Sequence, residues 1–96
     1  MSDAVRVVIY GDEYCAYCAA ARMLFTRKGV PFEDVLVSRD PARFDEMLAR
    51  SGGRRTIPQV FIADLHVGGF DDLCSLDKSG ELDKLLAGDA AGLHSQ

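Results

Sequence analysis

The sequence predicts an α/β protein, a four-stranded mixed sheet flanked by helices in the order β-α-β-α-β-β-α. Three observations carry this. Short β-branched runs end at turn residues, alanine- and leucine-rich stretches repeat apolar residues at helical spacing, and the last two strand-like runs lie too close together for a crossover between them.

VRVVIY, residues 5–10, is closed by Gly11 and reads as a buried strand. AYCAAARMLFTRK, residues 16–28, is rich in helix formers, with Ala21, Leu24, Phe25 and Lys28 at helical spacing and Gly29 as a stop. VPFEDVLV, residues 30–37, alternates as a second strand. Asp40 then caps a second helix, PARFDEMLARS, whose first residue is Pro41, and Gly52 and Gly53 end it. TIPQVFIAD (56–64) and HVGGF (66–70) read as two strands joined by a tight polar turn. DDLCSLDKSGELDKLLAG (71–88) reads as one helix or two short ones. A strand, crossover helix and parallel strand wind right-handed, so the first two strands are parallel neighbours, and the last two form a hairpin. One domain over residues 1–96 is expected, with its core at about 5–87 and a frayed tail, GDAAGLHSQ, at 88–96.

Composition narrows the function. The chain is 48% hydrophobic and 27% charged, as a packed globular protein should be, and its formal net charge is −4. That charge argues against nucleic-acid binding, which neutralises phosphates with clustered Lys and Arg, and against anionic membrane surfaces. No stretch is apolar enough to span a bilayer, and the start MSDAVRVVIYG lacks the features of a secretory signal, so a cytoplasmic location is expected; a monomer is expected as well. Cytoplasmic thiols are kept reduced. Three cysteines, an odd count, also fit poorly with a disulfide framework.

YCAYC, residues 14–18, therefore stands out, because it follows the first strand and opens the first helix. Ligands and chemistry collect there in open α/β sheets. The free N–H groups and the macrodipole at a helix start stabilise an anion, and thiolate is the reactive form of cysteine. Cys15 sits at that end. Cys18, about one turn further in, is close enough for a disulfide but more buried, which suggests an attacking and a resolving thiol. Taken alone, the CxxC pattern fits redox chemistry, half a metal site or inert packing.

Two other stretches sharpen the choice. In RRTIPQVFI, Pro58 cannot donate to a ladder, so it marks an edge, a bulge or a cis bond. In GGFDDL, two glycines precede Asp71 and Asp72 at a helix start. This is a turn and cap on the plain reading, and a site for an amino-acid-like group on the functional one: N–H groups for its carboxylate and an Asp for its ammonium.

CAYC, TIPQVFI and GGFDDL together resemble the CPYC, TVP and GGxDD motifs of dithiol glutaredoxins, over roughly residues 5–86. The resemblance implies a thioredoxin fold, a cis peptide before Pro58, and glutathione as co-substrate lying across a cleft. It makes Cys15 the nucleophile, Cys18 the resolving thiol and Tyr17 a wall of the glutathione groove. The backbone of Ile57, beside Thr56, would pair with the cysteinyl part of glutathione, and the Asp71–Asp72 helix start would hold its γ-glutamyl end. The implied activity is reduction of protein disulfides and glutathione mixed disulfides, with those proteins as partners and no metal. Two alternatives stand beside it: a thioredoxin-like reductant served by a flavoprotein reductase, and a carrier in which two chains each bring Cys15 and a glutathione to an iron–sulfur cluster. Tyr17 and the second cysteine argue against the carrier, because dedicated carriers in this family resemble a CGFS pattern.

The chain departs from the family at two places. Ala16 replaces the usual proline between the cysteines, which loosens the turn. Asp12 stands where the family commonly has lysine; a carboxylate ~6 Å from Cys15 would oppose its thiolate by roughly 0.7 kcal/mol in water-like dielectric. The same change removes a cation expected to hold the glycyl carboxylate of glutathione. Arg54 is the best substitute, ahead of Arg55 and Arg39. Cys74, inside the apolar pattern of the last helical stretch, is expected to be a buried small hydrophobe. His66 is expected in the hairpin and His94 in the tail, neither with ligand spacing.

Overall fold

Val7–Gly11 forms β1, and all five of its residues are buried because it is an inner strand. The structure, a computed structural model, describes residues 5–88. Its sheet has the order β2-β1-β3-β4, where β2 is Glu33–Leu36, β3 is Gln59–Ile62 and β4 is Leu65–Gly68. β2 is parallel to β1, as a crossover through α1 (Ala16–Arg27) requires, while β3 is antiparallel to both β1 and β4. The other helices are α2 (Pro41–Ser51), α3 (Phe70–Ser79) and α4 (Glu81–Leu86).

Strand alternation divides the core into two layers. Val7, Ile9, Val60 and Ile62 pack with Ala21 and Phe25 of α1, Leu73 of α3, and Leu82 and Leu85 of α4. Val8, Tyr10 and Phe61 belong to a second cluster, with Val35 of β2, Val37 just after it, and Met47 of α2.

The helix ends follow their local chemistry. Gly29, at φ 71°, takes the left-handed turn that lets the Val30 N–H donate to the Phe25 carbonyl at 3.0 Å. Asp40 Oδ1 accepts from the N–H of Ala42 at 3.1 Å and of Arg43 at 3.4 Å, with Pro41 opening α2.

Against the sequence reading, some strand boundaries shift, and two readings left open are decided. β1 begins at Val7, where its ladder with Ile62 begins, and takes in Gly11, which pairs with Leu36. β2 ends at Leu36 because Val37–Arg39 coils into a 3₁₀ turn that keeps Val37 buried and delivers Asp40 to the start of α2. The last helical stretch is two helices, parted at Gly80 with φ 85°. Pro58 stands just ahead of the inner strand β3, not on an edge, and the Ile57–Pro58 peptide is cis. His66 lies on β4. Apart from Gly88, the expected tail, with His94, falls outside the described residues.

Candidate active site

Cys15 is the N-cap residue of α1: its backbone is extended, and its Sγ accepts from the Cys18 N–H at 3.2 Å. A sulfur thus takes the place of the usual Ser, Thr or Asp oxygen, and one orphan N–H of the helix points at it. Cys15 is partly exposed, whereas Cys18 has no accessible surface, and both are free thiols. Burial pushes the Cys18 thiol up to about 12, and its hydrogen bond with Cys15 adds to the rise. The two cysteines are therefore unequal, one presented and one kept protonated below the surface.

The packing around Cys18 explains Gly11. A Cβ on Gly11 would lie 2.7 Å from Cys18 Sγ, so only glycine lets β1 pass this close to α1. Arg22 ties the loop between them, donating from Nη2 to the Asp12 carbonyl at 2.8 Å and from Nε to Asp34 at 3.0 Å.

Beside the cysteines lies a groove of about 270 Å³. Tyr17, 63% exposed, lines it from α1, Arg54, Thr56, Ile57 and Pro58 line it from the loop before β3, and Asp71 and Asp72 line it from α3. Apart from the weaker cation candidates Arg39 and Arg55, every binding-site candidate from the sequence thus reaches one cleft. Cys15 stands just outside the lining, two residues before Tyr17. Gly69 and Phe70 also line the groove and were missed, although both sit inside GGFDDL. Phe70 packs against Tyr17 with ring centroids 5.9 Å apart, so the two aromatics support each other.

The start of α3 is built differently from that of α1. Its N-cap is Gly69, and no side chain caps its first N–H groups among the described residues. Asp72 instead reaches back, its Oδ2 accepting from the Gly69 N–H at 3.1 Å. This is half of a capping box, since glycine has no side chain to reciprocate. The reach-back needs Gly68, at φ 114°, where a Cβ would sit 2.3 Å from Asp72 Oδ2.

Of the three candidate cations, only Arg54 lines the groove. It is half exposed, with Nη2 4.0 Å from Asp72 Oδ2. Arg55 lies 5.4 Å over the Phe44 ring, and Arg39 is paired with Glu13. Asp12 Oδ1 accepts from Ser38 Oγ at 2.8 Å and from the Glu13 N–H at 2.7 Å. Cys74 departs from expectation. It is half-buried, lining an apolar groove with Ala16, Ala20, Met23 and Phe70, because Leu73 takes the core position of that helix turn.

The Glutaredoxin family model matches residues 7–67, which span β1 through most of β4. This chain belongs to the glutaredoxin family. Glutaredoxin 3 of Escherichia coli is 48% identical over 80 residues, covering 83% of this chain and 95% of that protein. The solution structure of glutaredoxin from Brucella melitensis superposes with a TM-score of 0.76 at 46% identity, covering 90% of this chain and 92% of that one. The crystal structure of the buckwheat glutaredoxin–glutathione complex gives a TM-score of 0.77 at 28% identity, covering 85% and 76%. This glutaredoxin has the thioredoxin fold and is a thiol–disulfide oxidoreductase, and Cys15 and Cys18 fit the redox-active pair of such an enzyme. Among the described residues, no helix is long and apolar enough to cross a membrane.

Proposed function

We propose that this glutaredoxin is glutathione-dependent and reduces protein disulfides and glutathione mixed disulfides, with Cys15 as nucleophile and Cys18 as resolving thiol. The observation that carries the reading is the groove beside Cys15, where the uncapped start of α3 and the Arg54 guanidinium border one cleft. Glutathione has two carboxylates and one ammonium. The N–H groups at the start of α3 suit its γ-glutamyl carboxylate, and the exposed Asp71 suits the ammonium. Arg54 suits the glycyl carboxylate, while Tyr17 and the backbone of Thr56 and Ile57 flank the cysteinyl part. That a relative was solved as a glutathione complex adds support.

The chemistry is thiol–disulfide exchange. Cys15 thiolate attacks the glutathione sulfur of a mixed disulfide, and the protein leaves as a thiolate that takes up a proton. The thiolate of a second glutathione attacks the glutathione sulfur bound to Cys15, forming glutathione disulfide and freeing Cys15. With a protein disulfide, Cys15 forms the mixed disulfide, Cys18 displaces the substrate thiol, and two glutathiones reduce the resulting Cys15–Cys18 bond. Burial of Cys18 suits this order of events, since its protonated thiol leaves the first attack to Cys15. The protein works as a single-domain monomer in the cytoplasm, where thiols stay reduced, with neither nucleic acid nor membrane as partner.

The test compares electron donors: glutathione with glutathione reductase, against a thioredoxin-type flavoprotein reductase, on one glutathionylated protein and one protein disulfide. Saturable turnover with glutathione is expected. Turnover only with the flavoprotein reductase would overturn the proposal.

A further inference from the structure

Gln59 is a polar side chain with no accessible surface in the inner strand β3. A buried amide is costly unless its donors and acceptor are matched, and here they are. Its Nε2 donates to the Thr56 carbonyl at 2.9 Å and lies 3.1 Å from Thr56 Oγ1. Its Oε1 lies 2.6 Å from His66 Nε2. Because Oε1 can only accept, the network assigns the proton to His66 Nε2. The imidazole is held in turn by stacking on Phe61, with centroids 4.8 Å apart, and Arg50 lies over the same Phe61 ring at 4.2 Å.

Thr56 ends an exposed stretch, residues 52–56, that has no regular structure and carries two glycines. Ser51 pins its first half, with Oγ accepting from the Arg54 N–H at 3.0 Å. The second half, which forms a wall of the groove, is held from below by Gln59. We infer that Gln59 and His66 act as a positioning pair for this reaction, fixing the Thr56–Ile57 backbone at the height where it meets glutathione. The inference rests on the glutathione reading of the groove. Neither side chain lines the groove, so both act through Thr56.

The test uses variants that keep volume while removing one polar group. Gln59→Met removes the amide, His66→Phe keeps the stack on Phe61 but loses the N–H, and His66→Gln restores a donor to Gln59. Gln59→Met and His66→Phe are expected to raise the KM for glutathione by about threefold to tenfold. Their kcat and their rate of Cys15 alkylation by iodoacetamide should stay near the parent's. His66→Gln should recover the parental KM, and amide exchange at residues 54–57 should quicken in His66→Phe but not in His66→Gln. Parental KM and parental exchange in both disrupting variants would overturn the pair. So would a KM that rises only together with slowed or quickened alkylation and a lowered melting temperature, because that pattern marks general loss of structure. A parent enzyme without saturable glutathione dependence would instead overturn the reading of the groove, and with it the role assigned to the pair.

Discussion

At the start of α1 the cap position holds a cysteine whose sulfur accepts an N–H, whereas at the start of α3 it holds a glycine that offers no side chain at all. Both helix starts border the same cleft, and both have the same physical resource, a cluster of orphan N–H groups at the positive end of a helix. At α1 that resource is turned inward on a reacting atom. At α3 it is left open, with Asp72 folded back onto Gly69 so that its carboxylate does not cap the first turn. On the function proposed above, one end serves covalent chemistry and the other recognition.

The sharpest break of that contrast is at the cysteines. Cys15→Ser is expected to bring reduction of glutathione mixed disulfides down to background, while Cys18→Ser keeps a substantial part of it. Equal losses in a coupled glutathione reductase assay would mean that the pair has no distinct attacker.

Cys18 also ties stability to pH. Its thiol is raised from 9.0 to about 12, so between those values the folded chain holds a proton that the unfolded chain has released. The stability this contributes is fully present below pH 9.0 and is lost as pH rises toward 12. Urea midpoints measured from neutral pH to above 9.0 should fall more steeply in the parent than in Cys18→Ser. Parallel curves would show that burial of Cys18 leaves its ionisation unchanged.

At the other helix start, Gly68→Ala places a Cβ against Asp72 in a backbone region that L-residues avoid. A loss of at least ~2 kcal/mol in chemical denaturation is expected, from strain plus the lost reach-back. Glutathione KM should rise with it, while Cys15 alkylation in the folded protein stays near parental. Altered alkylation would mean that the two helix starts are coupled.

Arg54→Ala tests recognition without changing a residue of either helix. Its pairing with Asp72 is long and exposed, so little stability should change, but the glutathione KM should rise by about threefold to tenfold. An unchanged KM would move the role of cation to another residue or to none.

The smallest effect is expected from Asp12→Lys. Removing one charge and adding its opposite swings the energy at Cys15 by roughly 1.4 kcal/mol at ~6 Å before screening, so alkylation should quicken by at most about tenfold, and less at high salt. In the parent, Ser38 Oγ and the Glu13 N–H hold the Asp12 carboxylate. A rate unmoved at low salt would place the carboxylate out of reach of the thiol.

Much of the molecule was legible in the sequence because its signals are local. Asp40 before Pro41, glycine after a helical run, and β-branched stretches act within a few residues, and the helices and strands formed where those signals stood. The CxxC position followed from the same reading, since a strand followed by a helix places its junction at the sheet's carboxyl edge.

What the sequence by itself determined was the order of elements, the unequal cysteines and the three stretches from which the cleft is drawn. Tertiary structure decided the rest, because each remaining feature depends on distance between chain-remote atoms. Arg54 ranked first in the sequence, but its place in the groove, with Arg39 drawn to Glu13 and Arg55 over Phe44, is a matter of tertiary structure. Gly11 and Gly68 became obligatory only through the approach of Cys18 and Asp72. The Gln59–His66 contact joins two strands across a hairpin whose register shifts between Val60 and Phe61, and periodicity along a strand does not carry that register. Cys74 came to rest at the edge of its helix's buried face because Leu73 filled the core first, a matter of packing against α1 that spacing within α3 leaves open.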